Sequence, residues 1–109
     1  MNITNRIKNN ANISVRALEE HSSIADSFED QATIDYVTQL AQASIWGWCC
    51  VQVTVQYMGI RTTECLCESS YTDETEFREC TDYNDMVDRC CSDIADTIMS
   101  IVRTHNESV

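Results

Sequence analysis

Seven cysteines in 109 residues are the first candidates for chemistry, with His21 and His105 as the two imidazoles. Structural zinc sites draw ligands from C-x₂₋₄-C knuckles or H-x₃₋₅-H pairs, because two ligands must turn toward one ion from a tight loop. Cys65 and Cys67 lie two apart on a predicted strand, so they share a face without forming a knuckle. Cys49-Cys50 and Cys90-Cys91 are adjacent pairs and point in diverging directions. A metal centre would need Cys65, Cys67, Cys80 and Cys91 to converge. Reduced, buried thiols acting as small hydrophobes are the expectation instead, with no metal and no cofactor. Thiol redox chemistry typically uses C-x-x-C at a helix start, and the chain has none. Cys80 lies near a helix start, but Glu74, Glu76, Glu79, Asp82 and Asp85 oppose a lowered pKa. A disulfide between helical and strand cysteines is the alternative.

Other catalytic constellations are missing. A nucleophilic site needs Ser or Cys with His and an orienting acid. His21 falls on the apolar arc of a predicted helix, where a core or boundary histidine is expected, and His105 lies in the C-terminal tail. Two isolated glycines build neither a nucleophile elbow nor a phosphate loop. No glycine follows Gly59, so the acids beyond it form no EF-hand loop. The expectation is a protein that is not an enzyme.

Charge is the distinctive feature. The chain holds 18 acids against 7 bases, a net charge of −11. Residues 64–96 concentrate the acids, with Arg78 and Arg89 as their sole bases. Such a field repels nucleic acid and membranes and attracts basic partners. A solvated, solubilising face is the plain alternative, yet solubility of a small domain needs a net charge of only about 2 to 8. Spaced carboxylates on a rigid helix can imitate phosphates and fill a groove of Lys and Arg. The candidate partner-binding residues are Glu64, Glu68, Asp73, Glu74, Glu76, Asp82, Asp85, Asp88, Asp93 and Asp96. Trp48, Tyr71 and Tyr83, with Trp46, are candidate aromatic anchors beside them, or core.

The elements that must position these residues follow from periodicity. The chain is 43% hydrophobic with no proline, which suits a folded domain. No linker or repeat divides it, so residues 1–109 are expected to be one domain, with 1–12 a flexible leader. No apolar run reaches the ~20 residues of a membrane span, and the N-terminus has no apolar signal core. A cytoplasmic protein is the expectation. Residues 13–29 read as helix, with Ile13, Ala17, Ile24 and Phe28 on one side. Asp30 caps a helix over 31–45 with the stripe Ile34, Val37, Leu40, Ala41, Ile45. Residues 46–57 switch to period two, placing Cys49, Val51, Val53, Val55 and Tyr57 on one face. Met58-Gly59 turns the chain, and 60–67 return as a second strand. A third strand is expected from 69–72 or from another subunit. A short helix runs to about Glu79, and a longer one from Thr81 or Asp82 to about Thr104. On that last helix Val87, Cys90, Ile94, Ile98 and Ile101 form one side, while Asp82, Asp85, Asp88, Asp93 and Asp96 spread over about 140° of the other. The fold class is α+β: N-terminal helices, a central antiparallel hairpin or small sheet, and a C-terminal amphipathic helix.

The stretch Trp46-Gly-Trp-Cys-Cys-Val-x-Val-Thr-Val, then Tyr-Met-Gly, Ser70-Tyr-Thr-Asp-Glu-x-Glu-Phe-Arg and Tyr83-Asn-Asp-Met-Val, resembles small acidic phage-encoded accessory proteins, some of them anti-CRISPR inhibitors. The resemblance covers residues 46–87. Relatives of that kind often carry glycines where this chain has Cys67-Glu68 and Cys80-Thr81. The resemblance implies an inhibitor that binds the nucleic-acid surface of a host defence complex in the bacterial cytoplasm. Its partner would be a basic nucleic-acid-binding protein or ribonucleoprotein complex, with no direct contact to nucleic acid or membrane. Two alternatives stand beside it: an assembly module that homodimerises through the hairpin edge, and a small Cys-rich domain held by metal or disulfide.

Overall fold

A computed structural model describes residues 2–107. The elements run α1 (Ile3–Asn10), β1 (Asn12–Glu19), α2 (Ile24–Ser27), α3 (Gln31–Ala43), a 3-10 turn (Ile45–Gly47), β2 (Cys49–Tyr57), β3 (Ile60–Ser69), α4 (Glu74–Glu79) and α5 (Thr81–Glu107). The strands form one antiparallel sheet in the order β1-β2-β3. The architecture is α+β, with helices before the hairpin and a long amphipathic helix after it.

β2 sits in the middle and carries the alternation through: Cys49, Val51, Val53 and Val55 are wholly buried. α5 packs on that face through Met86, Val87, Cys90, Cys91, Ile94 and Ala95. The opposite sheet face is largely polar, and there the hydroxyls of Thr54 and Thr63 meet across strands at 3.2 Å. The hairpin loop is two residues long, with Met58 at φ +51° and Gly59 at φ +78°. Positive φ at both positions matches the right-handed twist of the flanking strands.

Two expectations fail at the N-terminus. Residues 13–29 are not one helix: only α2 within them is helical, while β1 occupies Asn12–Glu19 and supplies the third strand, pairing Ile13 with Val55 and Val15 with Val53. Residues 69–72 do not form that strand; β3 ends at Ser69. Ile13 and Ala17 are spaced four apart, which suits a helix face and a strand face alike. Val15 between them fits only the strand, and the open edge of β2 decides the matter by pairing. His21 consequently lies exposed in a loop, not on a helical arc. Of the expected flexible leader 1–12, residues 2–12 are built into the fold, and residue 1 lies outside the described residues. Asn2 caps α1 by accepting from the Asn5 amide at 2.8 Å, and Ile7 is wholly buried against α5. Lys8 Nζ reaches Asp88 at 2.9 Å.

The excursion between β1 and β2 is tied to the sheet end by polar bonds. Trp48 Nε1 donates to the Ser22 carbonyl at 2.8 Å, and its ring packs on Phe28. Asp30 caps α3 by accepting from the Thr33 amide. Opposite Cys50, β3 holds one extra residue, since Cys49 pairs with Ser69 while Val51 pairs with Leu66. Glu68, at φ +55°, marks this bulge. Its amide donates to Glu20 Oε1 at 2.6 Å, and the Ser22 amide donates to Glu20 Oε2 at 2.9 Å.

Two predictions follow from these contacts. A Cβ on Gly47 would overlap the backbone of Leu40 and Ala41, whereas one on Gly59 meets nothing. Gly47→Ala should therefore cost about 3 kcal/mol or more by overpacking, and Gly59→Ala only about 1 kcal/mol from its positive φ; urea unfolding of both variants checks the ranking. The bonds from Ser22 and Glu68 hold the Glu20 carboxyl below its usual 4.5. A depressed carboxylate pKa contributes stability above the unfolded value and loses it as pH falls through the folded one. Glu20→Gln should accordingly flatten the loss of thermal stability as pH falls below about 4.5; parallel profiles for variant and parent would count against this role.

Candidate functional site

The acids of residues 64–96 divide into those the fold consumes and those it leaves to solvent. Asp73 caps α4, its carboxylate accepting from the Glu76 amide at 2.9 Å, and Glu76 in turn accepts from the Thr72 amide at 3.3 Å. Glu74 pairs with Arg78 at 2.8 Å one helical turn away. Glu64, on β3, takes Arg89 of α5 at 3.2 Å. Asp88 holds Lys8. Asp82 accepts from the Tyr71 hydroxyl at 3.3 Å. Glu68 sits at the bulge. Asp85, Asp93 and Asp96 remain exposed on the outer side of α5 with no ion pair among the described residues. Asp82 to Asp96 spans about 21 Å of helix at 1.5 Å per residue.

The candidate aromatics pack into the fold. Trp48 is buried at the far end of β2. Trp46, Tyr71 and Tyr83 are half-buried around Phe77, which is wholly enclosed, with ring centroids 5.8, 5.1 and 5.7 Å from it. This cluster clamps α4 between the sheet end and α5. Burial, then the neighbouring Cys80 and Asp82, push the Tyr71 phenol well above its ordinary value. The Arg78 guanidinium lies 5.5 Å over the Tyr83 ring and so serves the cluster as well as Glu74.

The cysteines do several jobs. Cys49, Cys90 and Cys91 are buried thiols, as their hydrophobic spacing suggests. Cys50 and Cys67 instead form a cross-strand disulfide on the open face of the sheet. The sequence predicts mostly reduced thiols, with a helix–strand disulfide as the alternative; the pair joins two strands instead, and counting back from the Met58-Gly59 turn sets Cys50 opposite Cys67. Cys65 is an exposed thiol on the same strand. Among the described residues, no group of three or more Cys, His, Asp or Glu could hold a metal ion. No helix among them is long and apolar enough to cross a membrane.

The sequence reading also missed an apolar end. The inward stripe of α5 runs past the sheet. Ile98 is half-buried, while Met99, Ile101 and Val102 are exposed beside Met58. Periodicity sets Ile101 on the same side of the helix as Val87, Cys90 and Ile94, and so gives no sign that this side leaves the core. The sheet simply ends before the helix does.

Burial raises the Cys49 and Cys90 thiols to about 11, with Glu20 and Glu64 adding to the shift respectively. At pH 8 a thiol with pKa about 11 is only about 0.1% thiolate. An Ellman-type reagent should thus titrate Cys65 at once, Cys80 slowly, and Cys49, Cys90 and Cys91 only on unfolding. Prompt reaction at Cys90 in the native protein would contradict this packing. Comparison of the chain with family models, curated proteins and solved structures finds no match.

Proposed function

We propose that this chain is a non-enzymatic inhibitor that docks the outer face of α5 onto a basic, nucleic-acid-binding surface of another protein or ribonucleoprotein complex, of the kind found in CRISPR-type host defence. One observation carries the reading. Asp85, Asp93 and Asp96 stand exposed on one rigid helix and have no ion pair among the described residues, while Glu64, Glu74 and Asp88 each have one. Carboxylates already matched by cations add little to a long-range field. Unmatched ones, held at fixed spacing, meet a row of Lys and Arg without first giving up partners. The net charge of −11 adds to the attraction and speeds encounter.

The fold supports the alternative of dimerisation through the hairpin edge less well. β1 covers one side of β2, so the edge left to the hairpin is β3. That edge carries Arg61 and Glu64 and is bent by the bulge at Glu68, features that blunt edge-to-edge pairing.

The test is capture of partners from nuclease-treated bacterial lysate on the tagged protein, eluted along a salt gradient. The expected result is a basic nucleic-acid-handling protein or complex that leaves the column before 1 M salt, where the Debye length is about 3 Å. Asp85→Lys/Asp93→Lys/Asp96→Lys should abolish that capture and keep the parent's circular dichroism, since all three side chains are exposed. Unchanged capture by the triple variant would defeat the mechanism.

A further inference from the structure

The Cys50–Cys67 bridge lies on the open face of the sheet, away from α5, with Cys67 exposed and Cys50 half-buried. Cys65 keeps a free, exposed thiol two residues from Cys67, on the same face of β3. The bridge is not what brings the strands together. β2 and β3 are joined by the Met58-Gly59 turn and pair from Tyr57 and Ile60 to Val51 and Leu66. Their inner face is held by α5. Exposed disulfides are the exchangeable class, because exchange needs a thiolate to reach one sulfur in line with the S–S bond. The two sulfurs differ in that access. The bond crosses from β2 to β3, so the line into Cys67 comes from beyond β3, where no further strand pairs among the described residues. The line into Cys50 comes from over β1, where Leu18 pairs with Cys50 and stands on the same face.

We propose that the Cys50–Cys67 pair is a reversible S-thiolation site for low-molecular-weight thiols of the glutathione class, entered at Cys67. The incoming thiolate attacks Cys67 Sγ, and a new S–S bond forms there as the bond to Cys50 breaks. Cys50 leaves with the electron pair and takes a proton from water. In the reverse direction the Cys50 thiolate attacks Cys67 Sγ, expels the small thiolate and restores the bridge. A second small thiolate can instead attack the small-molecule sulfur of the adduct. Cys67 then leaves as a thiolate, and the small thiols depart oxidised as their own disulfide, so the pair ends reduced by two electrons. Cys67 is thus the entry sulfur and Cys50 the resolving one. Its half-buried place between Leu18 and Cys67 shields Cys50 from reagents and keeps it beside the sulfur it must attack. The site uses none of Asp85, Asp93 and Asp96, so this reading and the docking face can each fail without the other.

The test incubates the folded full chain, carrying Cys65→Ser, in glutathione buffers of graded ratio of reduced to oxidised form, then quenches with acid, alkylates and maps peptides by mass spectrometry. With Cys65 replaced, Cys67 is the one cysteine between Arg61 and Arg78, so an adduct in that peptide belongs to it. The bridge should open in millimolar reduced glutathione without denaturant, while the circular dichroism stays that of the folded chain. Glutathione on Cys67 should exceed glutathione on Cys50 at least about tenfold. Cys50→Ser removes the resolving thiol and should raise the Cys67 adduct at least about tenfold in the same buffer. Leu18→Ala should raise the Cys50 share of the adduct about fivefold by opening the second line of attack. A bridge that opens only when urea unfolds the chain overturns the proposal and leaves a structural staple. So does an adduct that forms first on Cys50, or a Cys67 adduct that Cys50→Ser leaves unchanged. Failure of the reduced chain to regain the bridge in oxidised glutathione overturns it as well.

Discussion

β2 is the one strand with a neighbour on each side, and its inward valines at 51, 53 and 55 are wholly removed from water. Burying a valine side chain is worth about 1.5–3 kcal/mol, so these three positions need a continuous apolar cover. α5 supplies it, and the other elements are arranged around that contact. α1 closes one flank of α5 through Ile7 and Lys8. Arg89 of α5 reaches Glu64 on β3. The aromatic cluster around Phe77 fixes where α5 begins, because α4 can dock only if Trp46, Tyr71 and Tyr83 surround it.

The sheet centre and the last helix were legible in the sequence because each obeys one period along its whole length. Cys49, Val51, Val53 and Val55 alternate without a break, and Met86, Val87, Cys90, Cys91 and Ile94 repeat at helical spacing. β1 was not legible. Ile13 and Ala17 satisfy both periods, and only the pairing with β2 distinguishes them. The leader was misread for a related reason. An eight-residue helix has too few residues to show a period, and its stability comes from tertiary packing of Ile7. Of the candidate site, the acids were visible as a charge run. Their division into caps, ion pairs and unmatched carboxylates was not, because Lys8 and Arg89 meet their partners from distant elements.

That division narrows the candidate face. Asp73 and Glu76 satisfy backbone amides at the start of α4, where carboxylates also suit the helix dipole. Removing them would loosen α4 and the aromatic clamp before it said anything about a partner. A charge run therefore overstates its functional residues wherever helices begin inside it. Exposed mid-helix acids such as Asp85, Asp93 and Asp96 are free of that duty.

α5 changes character along its length while its inward stripe does not. Over the first four turns the stripe is core, because β2 and β3 lie beneath it. Over the last two it is surface, because a 27-residue helix at 1.5 Å per residue outruns strands of 8 to 10 residues at about 3.3 Å. Nothing in the monomer's core asks for Ile101 or Val102, and exposed apolar side chains carry a solubility cost in any chain. The overhang keeps them together with a strained, exposed Met58 from a different element. Chain continuity would explain an apolar helix end alone. It does not explain the apolar hairpin tip, where Met58 lines a groove with Ile101 and Val102 from a different element.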